Sequence, residues 1–148
     1  MRISSKGRYG VAAMISMAQN QSKNEYITII SIAEKLGISK IYLEQVFSLL
    51  KRAGLVASIK GAQGGYKLAM PMEKITAAQI LRAVEVGLFE KTEKSVSESA
   101  HHIDLSMDAL IWNQLDASIQ ETLEAVTLSD LARESDKHKK GKDLMFYI

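Results

Sequence analysis

The segment Thr28–Leu68, TIISIAEKLGISKIYLEQVFSLLKRAGLVASIKGAQGGYKL, carries a helical periodicity and then a strand periodicity. Thr28 can cap a short helix whose apolar stripe is Ile29, Ile32, Ala33 and Leu36. Gly37 stops that helix, because a left-handed residue costs glycine nothing. Ser39 can cap a second helix over 40–53, with Leu43, Val46, Phe47, Leu50 and Ala53 on its apolar side and Gly54 at its end. Two helices joined by so short a turn, Leu36-Gly37-Ile38-Ser39, have helix-turn-helix spacing. LVASI (55–59) then alternates, Gly61 to Gly65 contains three glycines, and YKLAM (66–70) alternates again. That pattern predicts a β-hairpin with a flexible tip. Paired helices followed by a hairpin predict a winged helix, so the fold class is mainly α with a small β-wing.

Outward from this segment the chain is helical. Tyr9, Ala13 and Met17 recur every four residues, flanked by Ala12 and Ile15, and predict a helix over 5–19. Arg2, Lys6 and Arg8 before VAAMISMA could imitate a secretory leader, but an apolar stretch of 8 residues fits an amphipathic helix better. With no leader and no run of the ~18 apolar residues a membrane helix needs, the expected location is cytoplasmic, with no membrane partner. Residues 20–26 read as a loop. Pro71 closes the hairpin, and Ile75-Thr76 opens a helix to Val86. Residues 87–103 are polar and read as a linker.

A long helix is expected over 104–125. Leu105, Ala109, Trp112, Ile119, Leu123 and Val126 follow a four-three spacing suited to dimerisation. Leu110, Ile111 and Leu115 widen the apolar surface beyond one face, which calls for a partner. Thr127 and Asp130 resemble a capping box. The charged stretch 134–143 is expected to fray before the apolar end Leu144-Met145-Phe146-Tyr147-Ile148. The expected organisation is a DNA-binding unit 1–86, a linker 87–103, and a dimerisation helix with its tail, 104–148.

Composition narrows the function. The 148 residues include no Cys, which excludes disulfides, thiolate catalysis and Cys-held zinc or iron–sulfur centres. Residues 1–86 hold 12 Lys or Arg against 5 Asp or Glu, a surplus of +7, whereas residues 87–148 hold 7 against 12, or −5, within a net +2. The basic part suits a polyanion and the acidic part suits protein. No enzyme is expected. None of the three histidines lies near a plausible nucleophile in a structured segment, and GAQGGY fits neither a dinucleotide nor a P-loop spacing. His101, His102 and Asp104 form a weak metal set, but exposed loop histidines are more often unliganded. No metal or cofactor is expected.

The second helix of the pair would enter the major groove by its first turns. Its exposed residues are Ser39, Lys40, Tyr42, Glu44 and Gln45. Gln pairs with adenine, Glu accepts from cytosine N4, and Tyr and Ser reach phosphate. Lys60 at the hairpin tip, beside Gly61, can approach a narrow minor groove. Arg2, Lys6, Arg8 and Tyr9 near the first helix start, with Thr28 at the start of the next, are expected to anchor phosphates, helped by backbone amides.

MRISSKGRYGVAAM, SIAEKLGISKIYLEQVFSLLKRAGLVASIKGAQGGYKL and ITAAQILRAVE resemble the Rrf-two family of bacterial winged-helix regulators, over most of residues 1–130. The resemblance implies a homodimer built on the long helix and bound to a partly palindromic operator in double-stranded DNA. It implies contacts at Tyr42, Glu44 and Gln45, with Lys60 in the wing position where many members carry Arg. Cluster-binding members place three Cys within the stretch matching 87–103, and some use a His where this chain has Ala109. Cluster sensing by that route is excluded here. A cluster-free member that regulates cysteine metabolism ends in the same Met-Phe-Tyr-Ile. O-acetylserine sulfhydrylase (cysteine synthase) accepts C-terminal Ile tails, so Phe146, Tyr147 and Ile148 are expected to dock on that enzyme or to fold back on the dimer. The reading is therefore a dimeric repressor of cysteine or sulfur metabolism. The alternatives are a cluster-free small-molecule or stress sensor, and a protein-interaction adaptor, which would show no steep salt dependence with duplex DNA.

Overall fold

The first three helices each start at one polar side chain. In the computed structural model, which describes residues 1–20, 26–61 and 64–146, with side chains through Lys142, helix α1 (Ser5–Gln19) begins where Ser4 Oγ accepts from the Gly7 amide at 3.1 Å. Helix α2 (Ile29–Leu36) begins at Thr28, whose hydroxyl accepts from the Ser31 amide at 3.2 Å. It ends at Gly37, φ 68°. Helix α3 (Lys40–Arg52) begins at Ser39, which accepts from the Tyr42 amide at 3.1 Å. Each cap satisfies an amide that the first helical turn leaves without an intrahelical partner.

Strand β1 (Val56–Ile59) pairs antiparallel with β2 (Gly65–Leu68), Val56 opposite Leu68 and Ile59 opposite Gly65. Ile27 adds one further rung: its amide donates to Tyr66 O and its carbonyl accepts from the Tyr66 amide, both at 2.8 Å. The wing is thereby tied to the entry of α2. Gly65 sits at φ +146°, and a Cβ there would lie 3.0 Å from Tyr26 Cβ and 3.2 Å from Ile27 O. Helix α4 (Ala77–Val84) follows a reciprocal capping box between Thr76 and Gln79.

The winged-helix expectation holds. Met14 and Met17 of α1, Ile32 of α2, Leu43, Phe47 and Leu50 of α3, and Ile75 and Ile80 around α4 are all fully buried in one core. Phe47 packs on Tyr66 with ring centroids 4.8 Å apart, which seats the wing on α3.

Beyond α4 the chain makes a 3₁₀ turn (Val86–Phe89), crosses residues 90–97 without helix, and makes another (Glu98–Ala100). A continuous helical rod follows: α5 (His101–Met107), a π-helical segment (Asp108–Trp112) and α6 (Asn113–Glu124). The rod starts at His101, ahead of the expected 104. Asp104 is 5% exposed, and its carboxylate accepts from the Ser95 amide at 3.0 Å and the Val96 amide at 3.4 Å. The expected linker is thus pinned to the rod.

Helix α7 (Leu128–Phe146) departs from expectation. The stretch 134–143, expected to fray, is helical. The Thr127 amide donates to Asp130 Oδ2 and the Asp130 amide to Thr127 Oγ1, both at 3.0 Å, so the predicted capping box forms. Leu128 and Ala132 are buried in the winged-helix core. Gln19 Nε2 donates to Ser135 Oγ at 3.0 Å and Asp136 Oδ1 at 3.1 Å. Glu134 meets His138 at 3.1 Å and Lys137 at 3.9 Å, the one-turn pairs that support a helix. The chain therefore turns back after α6 and lays α7 against α1.

Candidate nucleic-acid interface

The capping bonds decide which way α3 presents its side chains. With Leu43, Val46, Phe47 and Leu50 turned into the core, helical geometry leaves Lys40, Ile41, Glu44, Gln45 and Ser48 exposed on the opposite face. Lys40 Nζ lies 3.6 Å from Glu44 Oε1. Lys6 of α1 joins Ile41, Glu44, Gln45, Ser48 and Leu49 around an open groove. Tyr9 and Tyr42 meet edge-to-face with ring centroids 5.1 Å apart, which fixes the start of α1 against the start of α3. Both tyrosines are half-buried, so each gives part of its ring to packing.

Arg8 turns back on its own helix start. Its Nε donates to Ile3 O at 3.3 Å, its Nη2 donates to Ser5 Oγ at 3.1 Å, and its guanidinium lies 6.0 Å from the Tyr9 ring. The Ser39 and Thr28 hydroxyls serve their own helix caps. Lys60 is exposed directly after β1, and Arg2 is exposed ahead of α1. The structure thus gathers Lys6, Glu44 and Gln45 at one groove beside the Tyr9–Tyr42 pair. Arg2, Thr28 and Lys60 do not line it. Ile41 was passed over in the sequence because it is apolar. Helical phase was the available signal, since Ile41 stands one turn before both Glu44 and Gln45.

The residues expected to dimerise divide. Leu105 is 54% exposed, and Ala109 is also exposed. Trp112 is half-buried. Ile119 and Leu123 turn toward Ile3, Leu81 and Leu88 in an apolar groove of about 260 Å³. Val126 lies past the end of α6, where its carbonyl accepts from the Ala77 amide at 2.8 Å. The π segment inserts an extra residue into the turn, so a strict four-three reading loses phase across it. Leu110 (73%), Leu115 (51%), Ile103 and Ile111 are the large apolar side chains exposed along the rod besides Leu105. Phe146 is the last residue of α7 and its side chain lies outside the described residues, as do Tyr147 and Ile148.

Asp130 is held below the usual carboxylate range by the backbone and side-chain hydrogen bonds with Thr127, with Arg133 adding to the effect. Its Oδ1 lies 2.6 Å from Arg133 Nη2.

A winged helix with a basic, polar recognition face belongs to the DNA-binding regulators. The chain matches the model of the Rrf2 family, described as an iron-dependent transcriptional regulator, over residues 3–134, and it belongs to that family. It is 38% identical over 148 residues, the whole of both chains, to the HTH-type transcriptional regulator CymR of Bacillus subtilis. It is 35% identical over 136 residues, 92% of this chain and 78% of the other, to the regulator IscR of Vibrio cholerae. The solved structure of CymR, described as the global cysteine regulator of B. subtilis, superposes with a TM-score of 0.73 at 36% identity, covering 90% of this chain and 98% of that one. These relatives are transcriptional regulators and not enzymes, and so is this protein. No helix among the described residues is long and apolar enough to cross a membrane.

The family's iron dependence does not fit these residues. The chain has no Cys. Asp104 is committed to the 95–96 amides, and among the described residues no group of three His, Asp or Glu could hold a metal ion.

Proposed function

We propose that this protein is a homodimeric repressor that inserts α3 into the major groove of a partly palindromic operator near cysteine- or sulfur-metabolism genes. In this reading its C-terminal Phe146, Tyr147 and Ile148 dock on O-acetylserine sulfhydrylase. The observation that carries the reading is the full-length match to the B. subtilis cysteine regulator, in a chain without Cys. Gln45 and Glu44 supply base-edge hydrogen bonding, Lys6 and Arg2 meet phosphate, and Lys60 reaches the minor groove. Exposed Leu110 and Leu115 on the rod support an apolar contact with a second copy.

The tail is tested by pull-down. Deleting residues 146–148 is expected to abolish capture of purified O-acetylserine sulfhydrylase while sedimentation still gives a dimer. Undiminished capture overturns the tail mechanism. The regulon is tested by a genome-wide map of bound sites, and a map without sulfur-metabolism promoters overturns the cysteine assignment.

A second reading, a small-molecule or stress sensor of the same family, is favoured by one feature. The apolar groove between Ile3, Leu81, Leu88 and the rod adjoins the 87–103 segment. Effector-dependent loss of operator affinity, with no enzyme present, would select it.

A further inference from the structure

The groove beside α3 is lined by two side chains that can make no hydrogen bond, Ile41 and Leu49, and of these Leu49 packs against the core. Ile41 is 71% exposed, in the first turn of the recognition helix, and it is the most exposed large apolar residue of the winged-helix unit between Ser5 and Val84 among the described residues. It sits between groups of opposite character. Lys6 of α1 lies on one side, and Glu44, Gln45 and Ser48 line the same groove on the other. At 71% exposure it is left open by the described residues, and it is not among the apolar residues packed on the core. Residues 1–86, to which this groove belongs, carry a surplus of +7, which suits a polyanion and not an apolar protein partner.

In the major groove each base pair presents hydrogen-bond donors and acceptors, and only thymine adds an apolar group, its C5 methyl. A branched aliphatic side chain placed one turn ahead of Gln45 has that methyl as its single complementary feature. We propose that Ile41 is a specificity-determining residue that packs on the C5 methyl of one thymine in each half-site. That thymine lies adjacent to the base pair read by Gln45 or Glu44. The inference rests on α3 occupying the major groove, and it adds a base preference that the polar residues alone do not supply.

The test keeps the two apart. A high-affinity duplex is first selected from a random pool with the full-length protein. Each thymine of its half-site is then replaced singly by deoxyuridine, which removes only the methyl. At one thymine, wild-type protein is expected to lose about fourfold in affinity, the effect of one methyl-sized apolar contact. The Ile41→Ala protein is expected to bind the parent duplex about fourfold more weakly and to be indifferent to deoxyuridine at that position, because the two changes remove one shared contact. Ile30→Ala, at a 52% exposed position on α2 away from this groove, should keep the full deoxyuridine effect. A half-site without thymine overturns the proposal. So does wild-type indifference to every deoxyuridine, or an undiminished deoxyuridine effect in Ile41→Ala. In these cases loss of discrimination in Gln45→Ala would leave the major-groove placement of α3 standing. If no duplex is enriched, that placement fails and the role of Ile41 fails with it.

Discussion

Gln45 and Lys6 line one groove, yet they act on DNA through different physics. A Gln reads a base edge, so Gln45→Ala should cost about 1–3 kcal/mol at one base pair and relax sequence choice there. A Lys neutralises a phosphate, so Lys6→Ala should weaken all sequences about equally and reduce the salt slope by about one. Binding measured on matched and single-mismatch duplexes across a salt series separates the two. Equal losses on all duplexes for Gln45→Ala would remove it from base reading. Gly65 is critical for another reason. Its φ of +146° strains any other L residue, and a Cβ there would press on Tyr26 Cβ at 3.0 Å and Ile27 O at 3.2 Å, so these neighbours would have to shift. Gly65→Ala should lower stability by about 1–3 kcal/mol. That appears as a lower urea midpoint with an unchanged slope.

At the scale of elements, the start of α7 has a pH signature. Asp130 accepts from the Thr127 amide and is held below its usual range chiefly by that bond. A depressed native pKa means the folded state favours the ionised carboxylate, so this stabilisation is complete above the usual carboxylate range. It is lost as the pH falls through the native value, because both states are then protonated. Asp130→Asn should therefore flatten the acid limb of the stability curve while changing its shape little near neutrality. Denaturant midpoints from pH 7 downward check this, and parallel curves for the two proteins would contradict it. The rod obeys the same local logic except at its π segment, where one additional residue rotates all that follows. Ile119 and Leu123 consequently face the winged-helix body, Leu115 stands half-exposed at the rim of the same groove, and Leu110 remains outside it.

At the scale of the molecule, an exposed apolar rod joined to a basic head predicts how assembly and binding are coupled. Leu110→Glu places a charge where the proposed partner copy packs, at a position 73% exposed in the single chain, so folding should be spared. Sedimentation should then show a monomer, and affinity for a two-half-site duplex should fall far more than affinity for a single half-site. A dimer that survives both Leu110→Glu and Leu115→Glu would move the interface off this face. Binding to the full site should also weaken steeply with salt, the behaviour that separates a DNA regulator from a protein adaptor on the same fold.

Local chemistry was readable in advance. The serine and threonine caps, the Gly37 stop, the paired helices and the alternating hairpin all depend on residues within a turn of one another, and the structure reproduces them. Gln45, Glu44 and Lys6 could be nominated from residue type and helical phase. The return of α7 could not, because a charged stretch such as 134–143 has no helical imperative of its own. It is ordered through Leu128 and Ala132, which join a core shared with Met14 and Met17 of α1, more than a hundred positions earlier, and with Ile75. Nor could the phase shift of the rod be read from spacing, since a π turn leaves the sequence pattern plausible and changes which face it describes. Periodicity reports the face a residue occupies on its own helix, whereas the neighbour that covers that face is set by packing between distant segments. For that reason helical phase puts Ile41 on the exposed face of α3, whereas the presence of Lys6 of α1 in the same groove was decided by packing.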